Sequence, residues 1–573
     1  MVGLLEQVGM PARHIGWLLA GLPLAVFAAI GLANRTTQAA EFYVAARNVS
    51  PVLNGMAAAA DWLSAASFVG IAGALYAEGN SALAFTVGGS GGFVLLAVLV
   101  APYLRKSGAY TVPDFLALRF GAVIRAPAVA VLLACSFPLL VVQIQAFATI
   151  AERFAAVPYT YAAYACVLVI VLCVLLGGMR GLTRVQAAQY LLLAFAFLMT
   201  PVLISSLSYG VPVPMLTVGR AMGEVENLSS GAVPIAPPGP GAAGSLALIF
   251  CLATGTASMP HLLMRFLTVR SVRETRGSVG WTLAFACLVL LAAPAYAAFF
   301  KLNLLSGFTA AGADWLPDWL LSLGRPGVVK VCGVAATTPE LMQSACESLR
   351  GIGQVARYED IQVAREAVVL ATPGVSGLPS VVTALLASGA LAAALASACG
   401  LTLAVANALS HDLWHKLADG RAPAGRRLLV ARLLVLGVAV TAGRFAMLPA
   451  PDLLGAVVWA CALAAAGYFP ALVLAIWWRR CNALGALVGM AAGMAVALLW
   501  LSAHSALLPA GPDAGTSGAT AAAATASVLG VACGFAAAIA ASLLTRAPRS
   551  ETQVIVDRLR FPRGEPVLGD RPV

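Results

Sequence analysis

Thirteen stretches of this chain are apolar for about 20 residues at a time, the length a helix needs to cross the hydrocarbon core of a bilayer. They lie near 15–33, 51–76, 82–104, 128–150, 158–178, 186–209, 244–264, 278–300, 379–408, 428–447, 453–477, 483–503 and 525–545. Lipid offers no hydrogen bonds, so a spanning segment must satisfy its own backbone, which selects helix. The predicted fold class is an all-α polytopic membrane protein with about 13 transmembrane helices. Of the 573 residues 61% are hydrophobic and 10% charged, against about 25% charged in soluble domains. The polar segments are too short to bury a core of their own.

The net charge of +11 does not call for a nucleic-acid partner once its distribution is read. Arg35 and Arg47, Arg105 to Arg125, Arg180 and Arg184, Arg265 to Arg276, Lys416 to Arg427, and Arg479 and Arg480 fall in alternate connections, and the tail adds Arg546 to Arg571. The positive-inside rule makes that side cytoplasmic. The N-terminus is then outside and the C-terminus inside, in a plasma (bacterial inner) membrane. Ile15 to Ala33 follows only Arg13 and His14 and reads as a retained first helix, not a cleaved leader.

The expected organisation is a first helix and loop over 1–50, a five-helix repeat over 51–209, an external loop over 210–243, and a second repeat over 244–477. The last carries an external insertion at 301–378. Two additional helices fill 478–545, and 546–573 is a solvated basic tail. Residues 210–243 are rich in Pro and Gly and read as irregular. Pro339 to Gly351 and Asp360 to Leu370 read as helices of a cap, and 504–524 as a flexible Ala/Gly/Ser connection. The eleven cysteines form no CxxC pair, which excludes the common metal and redox motifs. Cys332 and Cys346 share one loop and either pair or remain free thiols.

Asp61 is the acid that a bilayer tolerates least. It lies within Asn54-Gly-Met-Ala-Ala-Ala-Ala-Asp-Trp-Leu-Ser-Ala-Ala-Ser-Phe68, a span otherwise without charge. Intramembrane acids pair with a cation, a proton or water and mark ion pathways; the plainer alternative is an Asp that caps a helix break or bonds to a neighbouring helix. A second interruption is expected five spans later, in Ala253-Thr-Gly-Thr-Ala-Ser-Met-Pro260, where Gly255 and Pro260 break the ladder. Secondary transporters bind solute and ion at such paired interruptions. The ninth span, Ala387 to Thr402, is another small-residue helix, fit either for packing or for lending carbonyls and a hydroxyl to a hard cation.

These residues resemble the solute:sodium symporter family, in particular its cation/acetate-symporter-like branch. Asn54–Phe68, Gly177-Gly-Met-Arg-Gly-Leu-Thr-Arg-Val-Gln186, Gly255-Thr-Ala-Ser-Met-Pro-His-Leu-Leu-Met-Arg-Phe266 and Gly400–Trp414 carry the match. The resemblance implies a five-plus-five inverted-repeat secondary transporter fold and sodium-driven symport, with sodium as coupling ion and no other cofactor. It implies a sodium site of the carbonyls of Ala59, Trp62 and Ala393 and the hydroxyl of Ser397, with Asp61 beside it. Ala396 stands where family members usually offer a second hydroxyl. One similar branch works with a small membrane subunit.

The expected solute is a small organic anion, acetate or a related monocarboxylate, bound by Thr254, Gly255, Thr256, Ser258 and Gln143 (or Gln145) near the positive end of a half-helix. His261 is expected as a satisfied packing residue and Arg265 as an interfacial anchor. Another small solute, proton coupling through Asp61, and a transport-inactive sensor or subunit are the alternatives. His411-Asp412 reads as a helix-end cap. No catalytic constellation is present in the sequence, so an enzyme is not expected.

Overall fold

The computed structural model describes residues 12–229, 241–311, 329–335, 337–350, 360–418, 422–448, 452–504, 516–561 and 567. Among them, ten helices are long and apolar enough to cross a membrane, and two shorter apolar helices, Trp17–Ala33 and Tyr159–Val174, accompany them. The count differs from the thirteen expected because the runs near 15–33 and 158–178 form the two shorter helices and the run 51–76 is interrupted. A continuous run, Ala66–Ser107, joins the C-terminal half of 51–76 to the next span.

Eight helices build the site. The first interrupted span comprises α1 (Pro51–Trp62) and α2 (Ile71–Glu78), joined through a π-helical turn at Ala66–Gly70. Then come α3 (Arg125–Ala155) and α4 (Gly178–Tyr209). The second interrupted span is α5 (Gly241–Ser258) and α6 (Pro260–Arg265). The set is completed by α7 (Ser380–Asn407) and α8 (Leu453–Trp477).

Each interruption has a local cause. At the first, Leu63 takes φ −72° and ψ 62°, so the Ser64 N–H turns back to the Trp62 carbonyl at 2.8 Å and the ladder stops. At the second, Met259 is extended (φ −66°, ψ 118°) and Pro260 opens α6. Proline suits that position because its missing N–H would have no partner there and it disfavours helix at the preceding residue. The break is therefore at Met259 and not at Gly255, which lies inside α5. There a Cβ would meet the Cβ of Cys461 on α8 at 2.5 Å, so the glycine permits close packing of two helices.

The two interrupted spans are joined at the Arg-rich end of the bundle. Val49, just before α1, pairs with Val269, just after α6, in an isolated parallel bridge. Asn54 is fully buried and donates to the Arg265 carbonyl (3.1 Å) and to Ser278 (2.8 Å), while it accepts from Thr268 (3.1 Å).

Several connections depart from the sequence reading. Pro214–Ser229 is a helix, not irregular chain, because Thr217, Ala221 and Val225 form a buried stripe at helical spacing. Residues 360–370 are not one helix. Ile361–Val363 (β3) pairs antiparallel with Val329–Val331 (β1), which also pairs with Val334–Ala335 (β2), in the order β2-β1-β3. Alternating, β-branched Ile361 and Val363 favour the strand, and a new helix starts only at Ala367. Pro339–Arg350 is helical as expected, and Cys332 and Cys346 form a disulfide. The last long helix starts already at Thr516, while 505–515 of the expected flexible stretch lie outside the described residues. In the basic tail, Ser550–Arg560 is a helix with Val556 and Leu559 buried. It docks through Arg479–Asp557 (2.7 Å) and Arg560 to the Ile476 carbonyl (3.0 Å).

Candidate functional site

Asp61 is the penultimate residue of α1, and its carboxylate is wholly buried. It lies flat against α7 because Gly400 has no side chain: a Cβ there would stand 2.1 Å from Asp61 Oδ1. Its counter-charge is Arg265, the last residue of α6, whose Nε donates to Asp61 Oδ2 at 3.1 Å. Arg265 Nη1 donates to Thr183 on α4 at 3.3 Å. Arg265 is only 1% exposed, which corrects its expected place at the interface. No spacing along the chain brings residues 61 and 265 together; an arginine just after a break, in a span facing another break, is the available signal.

One turn from Gly400, Ser397 on α7 donates to the main-chain carbonyl of Asp61 at 2.5 Å. Ala393 is one turn earlier on α7 and fully buried. The Ala59 carbonyl accepts from Leu63 N–H at 2.8 Å and the Trp62 carbonyl from Ser64 N–H at 2.8 Å. The Ala396 carbonyl accepts from Gln186 Nε2 at 2.8 Å, so the helix carrying Arg180 and Arg184 also reaches this junction. Asp61 Oδ1 makes no hydrogen bond of normal geometry among the described residues, with the Gln186 amide alongside.

Asp61 and Ser397 border a cavity between the two interruptions. Its polar lining is Asp61, Trp62, Ser64, Ser67, Gln143, Thr256, His261 and Ser397, and its apolar lining includes Phe85, Leu139, Leu252 and Val457. About 40 Å³ of it is open to the centres of water-sized molecules. One water needs about 10–15 Å³ on this measure, so a molecule of a few heavy atoms fits.

The expected substrate residues separate here. Gln143 accepts from Ala65 N–H (3.3 Å) and leaves Nε2 without a partner among the described residues. Thr256 accepts from the Trp62 indole at 3.2 Å. The hydroxyls of Thr254 and Ser258 instead bond back to the carbonyls of Phe250 (2.7 Å) and Thr254 (2.6 Å) of their own helix, as is common for Ser and Thr in apolar helices. Gln145 donates to the Leu448 carbonyl (2.9 Å), away from the cavity. His261 borders the cavity with Nδ1 unbonded among the described residues, so it is not a satisfied packing residue. Ser64 and Ser67 join the lining from the interruption itself.

A second buried cluster ties other helices. Arg125 donates to Asp114 (3.0 Å) and Asp412 (2.7 Å), and Thr111 donates to Asp412 (2.6 Å). Asp412 is thus an ionic tie between helices and not a cap. Asp114 lies in the connection before α3. Burial pushes its carboxyl up, but His411 and Arg125 outweigh that and hold it well below the usual carboxylate range.

Two interrupted helices that face each other across a small mixed polar and apolar cavity, within a bundle of membrane-crossing helices, define an integral membrane protein built as a secondary transporter. The profile of the Sodium:solute symporter family matches residues 42–309 and 350–493. An uncharacterised symporter of Cupriavidus necator is 34% identical over 87% of each chain. A monocarboxylic acid transporter of Corynebacterium glutamicum is 27% identical over 86% of this chain and 84% of that protein. The solved structure of a Na+-coupled sialic acid symporter in a substrate-bound outward-open state superimposes with a TM-score of 0.69 at 14% identity. It covers 93% of this chain and 98% of its own. The chain belongs to the sodium:solute symporter family.

Proposed function

We propose that this protein is a sodium-coupled symporter that imports a small organic anion, acetate or a related monocarboxylate, by alternating access. The observation that carries the reading is the junction at the cavity wall, where the Ser397 hydroxyl, the Asp61 carbonyl and the incompletely bonded Asp61 carboxylate converge. Sodium is a hard cation that prefers such oxygens. Replacing the Ser397–Asp61 hydrogen bond by two oxygen–cation contacts would fasten α1 to α7. The carbonyls of Ala59, Trp62 and Ala393 are the further candidate ligands. Gln143 Nε2 is the donor offered to a carboxylate, with Thr256 and His261 beside it and the apolar wall for a short tail.

The size of the cavity supports a small solute, and the name of the Corynebacterium relative supports a monocarboxylate. The membrane is the plasma membrane, with the Arg-rich connections cytoplasmic and the N-terminus outside. The repeats are 51–209 and 244–477. A small membrane subunit is a further partner for copurification to reveal. One sodium with one monoanion makes a neutral step, so the membrane potential, about 2.3 kcal/mol per charge per 100 mV, drives net uptake only at higher sodium stoichiometry.

The test is uptake of labelled acetate into proteoliposomes under an inward sodium gradient, a proton gradient, or neither. Sodium-driven accumulation that unlabelled propionate competes away supports the reading. Proton-driven accumulation replaces the coupling ion, and absence of uptake under every gradient overturns the assignment of solute.

A further inference from the structure

We propose that Arg265 is a tethered counter-cation for Asp61, which holds the carboxylate in the cation-free transporter and competes with the coupling cation for it. The inference deepens the sodium-symport reading and rests on it. Its basis is a contact that is only half made. Guanidinium and carboxylate meet best through two parallel hydrogen bonds. Here Nε alone reaches Oδ2, at 3.1 Å. Arg265 Nη2 and Asp61 Oδ1 are both buried and make no hydrogen bond of normal geometry among the described residues. A buried ion pair with incomplete bonding recovers little of its desolvation cost, so it is a poor device for stability alone. It is well suited to exchange one partner.

The surroundings fix where that exchange occurs. Thr183 on α4 holds Nη1 at 3.3 Å, and Asn54 and Thr268 hold the Arg265 carbonyl. The guanidinium is thereby kept beside the Asp61 carboxylate, while the Ser397 hydroxyl bonds the Asp61 main-chain carbonyl. A cation arriving between Asp61 and Ser397 meets a carboxylate that is already neutralised, and must displace or share it. In the empty transporter Arg265 spares the membrane interior an unpaired carboxylate, so the empty site can close and return. Arg265 acts through Asp61 and is a positioning residue.

The experiment uses the full chain in lipid nanodiscs and reads thermal unfolding in sodium chloride against choline chloride, which needs no knowledge of the solute. A ligand that binds only the folded state stabilises it by RT ln(1 + [L]/Kd), so the midpoint begins to rise once its concentration passes Kd. Arg265→Gln is expected to lower the sodium concentration needed for a given gain in midpoint roughly ten-fold, because it removes a competing charge. Arg265→Lys keeps the charge and remains within about three-fold of the wild type. Thr183→Val leaves both charges in place, loosens the guanidinium, and lowers the sodium requirement by about two-fold or more. Asp61→Asn combined with Arg265→Gln abolishes the gain. An unchanged or raised sodium requirement in Arg265→Gln, or in Thr183→Val should the former not fold, overturns the proposal while leaving sodium symport standing. Absence of any sodium-dependent stabilisation, in the wild type and every variant, overturns sodium symport as well.

Discussion

The Ser397 hydroxyl donates a 2.5 Å hydrogen bond to the main-chain carbonyl of Asp61, so a side chain of α7 closes on the backbone of α1 two residues before that helix breaks. Removing the hydroxyl leaves a buried carbonyl short of a partner and deletes one candidate cation ligand. Ser397→Ala should raise the sodium concentration for half-maximal uptake about ten-fold, the equivalent of one net hydrogen bond of about 1–1.5 kcal/mol. A sodium titration of labelled acetate uptake measures it, and an unchanged titration removes Ser397 from the site.

Gly400 gives a steric test of the same contact. A Cβ there would stand 2.1 Å from Asp61 Oδ1, so Gly400→Ala must push the carboxylate off α7. We expect assembled protein with uptake lost or at least ten-fold less sensitive to sodium, a shift of about 1.4 kcal/mol or more. Gly425→Ala, where a Cβ meets nothing, should stay within about 0.5 kcal/mol of the parent in stability. Equal sodium titrations for the two variants would show that Asp61 need not touch α7.

The Arg125 cluster should matter for stability and not for solute choice. Arg125→Met strands Asp114 and Asp412 in a buried site, a loss of about 3–5 kcal/mol, read as a lower unfolding midpoint in nanodiscs. The pH dependence has a definite sign. Asp114 is held below its ordinary value, so its contribution is present above the unfolded carboxylate value of about 3.9. It is lost as pH falls toward the lower folded value. The difference between the parent and Asp114→Asn, which removes this carboxylate from folded and unfolded states alike, should therefore be flat at and above neutral pH and shrink only in acid below about pH 4. A difference that shrinks from pH 8 to 6 contradicts this account.

The three-stranded sheet and the helix Pro339–Arg350 are pinned by the Cys332–Cys346 disulfide, which closes a 14-residue separation. A loop of this size is worth about 3 kcal/mol in the chain-entropy account. Cys332→Ser should speed proteolysis within 329–350 by one to two orders of magnitude, while the midpoint of the helical bundle changes little. Mass spectrometry of the fragments decides it; an equally resistant segment means that β1, β3 and Pro339–Arg350 hold without the bridge.

What could be read from sequence was what depends on local pattern. Apolar runs located the spans because lipid leaves a helix little alternative, and Pro260 announced an interruption within a residue. What depends on distant neighbours was not legible. Gly255 looked like a breaker but is a packing surface for Cys461, since glycine serves both purposes and only the facing helix decides. Thr254 and Ser258 looked like donors, and their own helix takes their hydrogen bonds. Arg265 reads as an interfacial residue from its position at a span end, because residue 61 is too far along the chain to be recognised as its partner. Pro214–Ser229 hid its helix in a Pro/Gly-rich context, and the buried stripe that stabilises it becomes meaningful only against Ala295 and Phe299.

Asn54 and the Arg265 carbonyl lie 211 residues apart in sequence and 3.1 Å apart in space, and the Val49–Val269 bridge repeats that join one turn away. The chain has in effect stapled the halves of its two interrupted spans at the Arg-rich end into a single lever. Neither half can swing without breaking several buried hydrogen bonds or taking the other along. A join of this kind leaves no cheap arrangement in which one half has moved and the other has stayed.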